Sequence, residues 1–150
     1  MNPDQVALWL VELNDIEHEV HSVAAISDIL RKVEQMPSGR LWVGKDGGAR
    51  PWWHRLLGTQ SRYVDSLFVM EWCDAYASLI FHDENWSEYP AIDESAPVTP
   101  SEDVRQKISH GDAMPSAVEE CMDKQRAILA AREYMAHNTR PSWLKYRYVR

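Results

Sequence analysis

Few side chains in this sequence could do chemistry, and each set can be tested by the partners that chemistry needs. His18 and His21 stand three apart, with Glu17 and Glu19 beside them. Imidazole and carboxylate are metal ligands, but a bound divalent ion needs three or four converging groups. No other candidates cluster there, so no metal site is expected. Cys73 could be a nucleophile with a histidine such as His82 as its base. It falls where the chain is expected to bend, and a lone cysteine is ordinarily packing. The neighbouring carboxylates Asp83-Glu84 and Asp93-Glu94 could be divided into acid and base, but that needs an apolar pocket to separate their proton affinities. The surrounding sequence is polar. Gly44-Lys45-Asp46-Gly47-Gly48 has the composition of a phosphate loop without its GK[ST] ending or a following helix, so it reads as a hairpin turn. HExxH, HxE with PCxxC, GxSxG and Walker A patterns are absent. No catalytic residue, metal or cofactor is expected, and the chain reads as a binding protein.

The elements that would carry these residues follow from periodicity. The apolar run "VALWLVEL" at 6–13 predicts a buried strand. Residues 14–21 read as a polar connection. Ser22 predicts an N-cap for a helix to about Met36, with Val23, Ile26, Leu30 and Val33 as its apolar stripe; Pro37 and Gly39 stop it. "LWV" at 41–43 suits a strand before the "KDGGA" turn. "SLFVMEWCDAYASLIFHD" predicts an antiparallel hairpin with strands at 66–72 and 75–82. "SEYPAID" fits a further edge strand, since Pro90 lacks a donor. Residues 93–114 read as a long loop with a helical turn after Ser101. Ser116-x-x-Glu119 matches a capping box. A short strand through Val118 and Cys121, with Asp123 capping the next helix, fits as well and is preferred. That helix places Ala127, Ile128, Ala131, Tyr134 and Met135 on one face and ends at Asn138 before Pro141. "SWLKYRYV" then alternates as a strand. The expected fold class is α+β: a mostly antiparallel sheet with two helices packed on it, in the order strand, helix, strands, helix, strand, as a single domain over 1–150.

The chain has 150 residues, a formal charge of −7, and seven Trp and six Tyr against two Phe. Net negative charge disfavours free nucleic acid as a partner and favours a basic protein. The two cysteines form no CxxC pair, so neither a zinc ribbon nor a disulfide scaffold is expected. No signal peptide and no apolar run of the ~18 residues needed to span a membrane is read, and the expected location is the cytoplasm. Charge is uneven. From Asp83 to Asp103 there are seven acids and no Lys or Arg, with Trp86 and Tyr89 among them, whereas Arg31 to Arg62 carries seven bases and two acids. Acids that steer and aromatics that anchor make a protein-binding surface.

The C-terminal segment "VEECMDKQRAILAAREYMAHNTRPSWLKY" resembles the signature of immunity protein family one of the bacterial polymorphic toxin systems. That signature is a short strand, a helix of the type Ala-hydrophobic-x-Ala-Ala-[Arg/Lys]-[Glu/Gln]-aromatic, a Thr-x-x-Arg-Pro type of turn and a final aromatic strand. Here these are Ala127 to Tyr134, Arg140-Pro141 and Trp143 to Tyr146. "LFVMEWCDAYASLIFHDENWSEYPAID" is similar to the family's hairpin, and the resemblance covers roughly 64–149. "HNTRP" departs from the more usual Thr-Gly-x-Arg-Pro turn, Tyr146 stands where Trp is common, and "RPWWHRLLGTQSR" has no counterpart. The motif itself is expected to be structural: Arg140 holds the helix end or pairs with Glu133, and Trp143 packs under the helix.

The resemblance implies an immunity protein that binds a cognate toxin domain 1:1 and occludes its active site. The toxin would be a nucleic-acid deaminase or, second, a nuclease. The expected contacts are Asp83, Glu84, Trp86, Glu88, Asp93 and Glu94, with Trp52 and Trp53 as anchors. No direct contact with nucleic acid or membrane is expected. The alternatives are a small cytosolic enzyme using Cys73 or a carboxylate pair, and an adaptor for a secreted effector.

Overall fold

In a computed structural model of the chain, which describes the backbone of residues 5–49 and 62–149 and the side chains of 9–45 and 68–149, the first apolar run becomes β1 (Gln5–Leu13). Trp52 and Trp53 lie outside the described residues. The polar stretch after β1 is not a connection but a second strand, β2 (Ile16–Ser22), paired antiparallel to β1. The two-residue loop between them has φ of 49° at Asn14 and 68° at Asp15. That double left-handed conformation makes a tight hairpin turn, and Asn and Asp tolerate it. Polarity hid the strand because of its alternation: only Val20 is buried, while Glu17, Glu19 and His21 are exposed.

Ser22 then caps α1 (Val23–Gln35), accepting from the Ala25 N–H at 3.1 Å. Ile26, Ile29, Leu30 and Val33 form its buried stripe, and Val23 is exposed. Strand β3 (Ser38–Ala49) runs straight through the expected "KDGGA" turn, with register shifts around Asp46. Glycines there mark an irregular strand rather than its end. Gly39 must lack a side chain: a Cβ would sit 2.6 Å from both Asn14 Oδ1 and the Trp72 ring.

The predicted hairpin is β4 (Arg62–Cys73) and β5 (Tyr76–His82), joined by Asp74-Ala75. β6 (Glu88–Ile92) follows. The chain next leaves the sheet, forms the six-residue helix α2 (Glu102–Lys107) capped by Ser101, and returns through a 3-10 turn at Val118–Glu120 to β7 (Cys121–Asp123). Asp123 caps α3 (Lys124–His137), accepting from the Gln125 and Arg126 N–H groups, and Asn138 closes it at φ 54°. The last strand, β8, is shorter than its alternation implied, Lys145–Tyr146, with an isolated bridge between Glu88 and Val149.

The fold is α+β, with eight strands and three helices among the described residues. The antiparallel sheet has the order β2-β1-β3-β4-β5-β6-β8; β7 shares the free edge of β5 with β6, taking Tyr76–Ser78 while β6 takes Ile80–His82. Helices α1 and α3 lie side by side on one face. Trp9, Val11, Leu41, Val43, Phe68, Met70, Leu79 and Phe81 bury there against the helices. Each such side chain contributes ~1.5–3 kcal/mol by leaving water. Ala127, Ala130 and Ala131, none of them exposed, let α3 approach closely, and Tyr134 packs its ring on Trp9, Phe68 and Phe81. Trp9 Nε1 donates to the Met135 carbonyl at 2.9 Å. The far face carries a smaller cluster in which Cys73, Ile108 and Cys121 pack with Tyr76, Val98 and Val104 under the α2 excursion.

Candidate binding surface

The turn from β5 to β6 is organised by one carboxylate. Asp83 accepts from the Asn85 N–H at 2.9 Å, the Ser87 N–H at 3.0 Å and the Tyr89 hydroxyl at 3.1 Å. The backbone closes around it, Trp86 N–H donating to the Asp83 carbonyl and Asp83 N–H to the Ser87 carbonyl. Partial burial pushes the Asp83 carboxyl up, but these hydrogen bonds and the Arg140 charge outweigh it and hold it below the usual carboxylate range. Asp83 is thus a scaffold residue.

What the scaffold presents is Trp86. Its φ is +61°, a region costly for a bulky side chain, and it is 61% exposed, with its ring near that of His82. Glu84 and Glu88 are exposed beside it, Glu88 lying 3.6 Å from His82 Nε2. Tyr148, which the sequence reading did not single out, is 57% exposed and packs its ring on Tyr89. Arg140 is itself exposed and lies over the rings of Tyr89 and Tyr146, at 4.1 and 4.9 Å. Of the two roles expected for Arg140, holding the helix end or pairing with Glu133, the second is not seen among the described residues; Glu133 accepts from Trp143 Nε1 at 2.8 Å. Arg140 therefore ties the C-terminal segment to β6 through its aromatic contacts.

The second acidic pair behaves differently. Asp93 is 3% exposed; its carboxylate is taken by Arg126 and by the Ser95 hydroxyl, and Arg126 in turn stacks on Trp143. Burial raises the Asp93 carboxyl, and the Arg126 and Ser95 hydrogen bonds reverse that and hold it low. Asp93 locks β6 to α3 and offers no surface to a partner. Glu94 is exposed and pairs with exposed Lys145 at 2.7 Å, a contact worth at most about 1 kcal/mol. The six described candidates thus divide: Glu84, Trp86 and Glu88 are exposed at the β5–β6 turn, Glu94 stands beyond β6 on its surface pair, and Asp83 and Asp93 are structural. Tyr148 packs on Tyr89, the partner of core-facing Phe81, and so lies on the helix-bearing face, opposite to Glu88 and His82. The sequence places all six in one acidic block and carries no signal of which carboxylates turn inward.

The reactive groups considered from the sequence are dispersed by the fold. Cys73 and His82 lie at opposite ends of the β4–β5 hairpin, about 20 Å apart at strand rise. Burial raises the Cys73 thiol and pushes Cys121 up to about 11, so both favour the unreactive protonated form. The two cysteines flank β5 on separate strands, Cys73 opposite Tyr76 and Cys121 opposite Ser78, about 12 Å apart, beyond disulfide reach. His18 and His21 point to opposite faces of β2. Among the described residues no group of three His, Cys, Asp or Glu could hold a metal, and no helix is long and apolar enough to cross a membrane.

One polar cluster on the far face escaped the sequence reading. His110 N–H donates to Glu71 at 2.9 Å, and His110 Nε2 lies 2.9 Å from Ser78 Oγ. The distance suits a nucleophile and base, but Ser78 is 2% exposed in mid-strand, and Glu71 holds the backbone rather than the ring. An open cavity of about 330 Å³ nearby is lined by Asn14, Ser38, Gly39, Arg40, Glu71, Trp72 and Lys107. His110 instead latches the α2 excursion to the sheet. Burial, the Arg40 charge and His82 push its imidazole down to about 4 against the Ser78 bond, which raises it. The unfolded chain takes up this proton near pH 6.5, and the folded chain resists until about 4. The latch contribution is therefore complete above about pH 6.5 and falls by up to about 1.4 kcal/mol per unit as pH drops towards 4. The stability difference between the native chain and His110→Gln, measured by denaturant titration from pH 7.5 to 4, should shrink across that window; a difference independent of pH would contradict this account of the latch.

No protein-family model, curated protein or solved structure significantly matches the chain.

Proposed function

We propose that this protein is a cytoplasmic immunity protein that binds a cognate toxin domain and neutralises it by covering its active site. The observation that carries the reading is Trp86: a large aromatic side chain raised into solvent on a turn that Asp83 holds rigid, at the cost of an unfavourable backbone conformation. Nothing in the sheet or core requires an exposed indole there, and Trp is among the residue types most enriched at binding hot spots. Glu84 and Glu88 flank it and suit a basic groove of the kind that holds nucleic acid. Their charges would steer association and stand in for phosphate. The class of partner rests on the resemblance of residues 64–149 to immunity protein family one: a deaminase domain first, a nuclease second. The proposed complex is 1:1, and no catalytic step by this chain is involved.

The test is coexpression with the C-terminal domain encoded by the upstream gene. Rescue of growth together with co-purification of the two chains is the expected result. Rescue without a complex would sink the binding mechanism and move a small enzyme acting on the toxin's product to the front.

A further inference from the structure

The opposite edge of the sheet carries an independent signal. β2 is the terminal strand, and among the described residues nothing pairs with its outer edge. A two-residue hairpin loop makes its closing pair, Leu13 and Ile16, a hydrogen-bonded one. Hydrogen-bonded pairs then alternate through Val11–His18 and Trp9–Val20. The backbone groups of Ile16, His18 and Val20 are thereby used by β1. Those of Glu17, Glu19 and His21 point outward, free to extend the ladder.

The side chains on this edge carry unbalanced charge. Glu17 stands directly opposite Glu12 of β1, and Glu19 follows two residues along on the same far face. Like charges facing each other in a non-hydrogen-bonded pair, about 4.5 Å apart at Cα, are destabilising. Among the described residues no Lys or Arg pairs with any of the three, and Arg40, on the same face of the neighbouring strand β3, is taken by Glu71 at 3.8 Å. Charge on the edge strand is one way to protect it from aggregation, but that does not call for a second carboxylate opposite it on β1.

We propose that β2 is a docking edge for an extended, lysine- or arginine-bearing segment of a partner protein, which adds as an antiparallel strand. The residues paired with Glu17 and Glu19 would carry the positive charges, the first of them also relieving Glu12. The residues between them would be apolar, covering exposed Ile16 and the half-buried His18. The same carboxylates oppose pairing of β2 with a second copy, because an antiparallel pair centred on His18 sets Glu17 against Glu19. This edge lies across the whole sheet from Trp86, so the inference stands apart from the proposed function.

The probe is a ten-residue peptide alternating lysine with valine and threonine, added to the isotopically labelled full chain. We expect shifts and slowed hydrogen exchange centred on the amides of Glu17, Glu19 and His21. Affinity should fall at least five-fold in Glu17→Gln/Glu19→Gln, at least ten-fold when the peptide's pairing amides are N-methylated, and not at all in Trp86→Ala. Equal binding of the N-methylated peptide, or of a glutamate-for-lysine peptide, would overturn the proposal, as would perturbation confined to other strands or no binding at millimolar peptide. Sedimentation of the free chain as a dimer that Glu17→Lys/Glu19→Lys alters would also overturn it, in favour of self-association.

Discussion

Trp86→Ala should weaken toxin binding about 30- to 1,000-fold, the range of ~2–4 kcal/mol typical of a Trp anchor at the centre of an interface, while leaving the fold intact. The structural reason is separability. Trp86 is 61% exposed, and the turn that carries it is closed by Asp83 and by backbone hydrogen bonds that do not use the indole. Trp86→Gly sharpens the experiment. Glycine accepts the left-handed backbone at φ +61°, so this variant should be as stable as the native chain or more stable by up to about 1–2 kcal/mol, and yet bind as poorly as the alanine variant. Calorimetry of binding alongside denaturant unfolding would show the two effects moving in opposite directions. Native-like affinity in both variants would remove Trp86 from the interface.

Lys124→Met should destabilise the fold by about 2–4 kcal/mol, with toxin affinity unchanged below the unfolding transition. Lys124 is 6% exposed and donates to the carbonyls of Glu34 at 3.1 Å and Met36 at 2.7 Å, where α1 ends. Trp72 Nε1 donates to the same Met36 carbonyl at 3.0 Å. The ammonium thus satisfies acceptors that a helix end leaves open and lies at the negative end of the helix dipole. Methionine keeps the packing volume but removes hydrogen bonds to a charged donor, of a kind worth about 1.5–3 kcal/mol; the Met36 carbonyl keeps Trp72 while the Glu34 carbonyl loses its donor, and the lost charge–dipole interaction adds to the cost. Burial lowers the Lys124 ammonium from its usual range; these acceptors stabilise its charged form. A shift in denaturation midpoint at constant slope would bear this out, and a midpoint within error of the native chain would refute it.

How legible this was in the sequence depended on whether local chemistry and tertiary role agreed. The caps at Ser22, Asp123 and Asn138 were readable because each acts on its own helix, through a side chain or, at Asn138, the left-handed conformation that asparagine tolerates. The hairpin around Asp74 was readable because two apolar runs flank one bend. β2 was not, because an edge strand with one solvated face and only Val20 buried has the composition of a loop. Only the first half of β3, around Leu41–Val43, reads as a strand; its second half reads as a turn because Gly47 and Gly48 in an irregular strand look like those of a hairpin. Lys124 and Arg126 sit at a helix start, and nothing local in the sequence marks them; their roles depend on α1 and β6, distant in sequence. The acidic block was visible as charge. Its division into exposed Glu84 and Glu88, and inward Asp83 and Asp93, was not, because that depends on which carboxylate meets a backbone turn or an arginine.

The most direct measurement is a titration of the purified toxin domain from the upstream gene with this protein, following toxin activity. The account predicts a linear fall to zero at one molar equivalent, with a stable 1:1 complex by light scattering and a break point lost in Trp86→Ala. Full inhibition at far below one equivalent, or inhibition with no complex, would mean that the protein acts by turnover rather than by occupying the toxin, and would contradict the account.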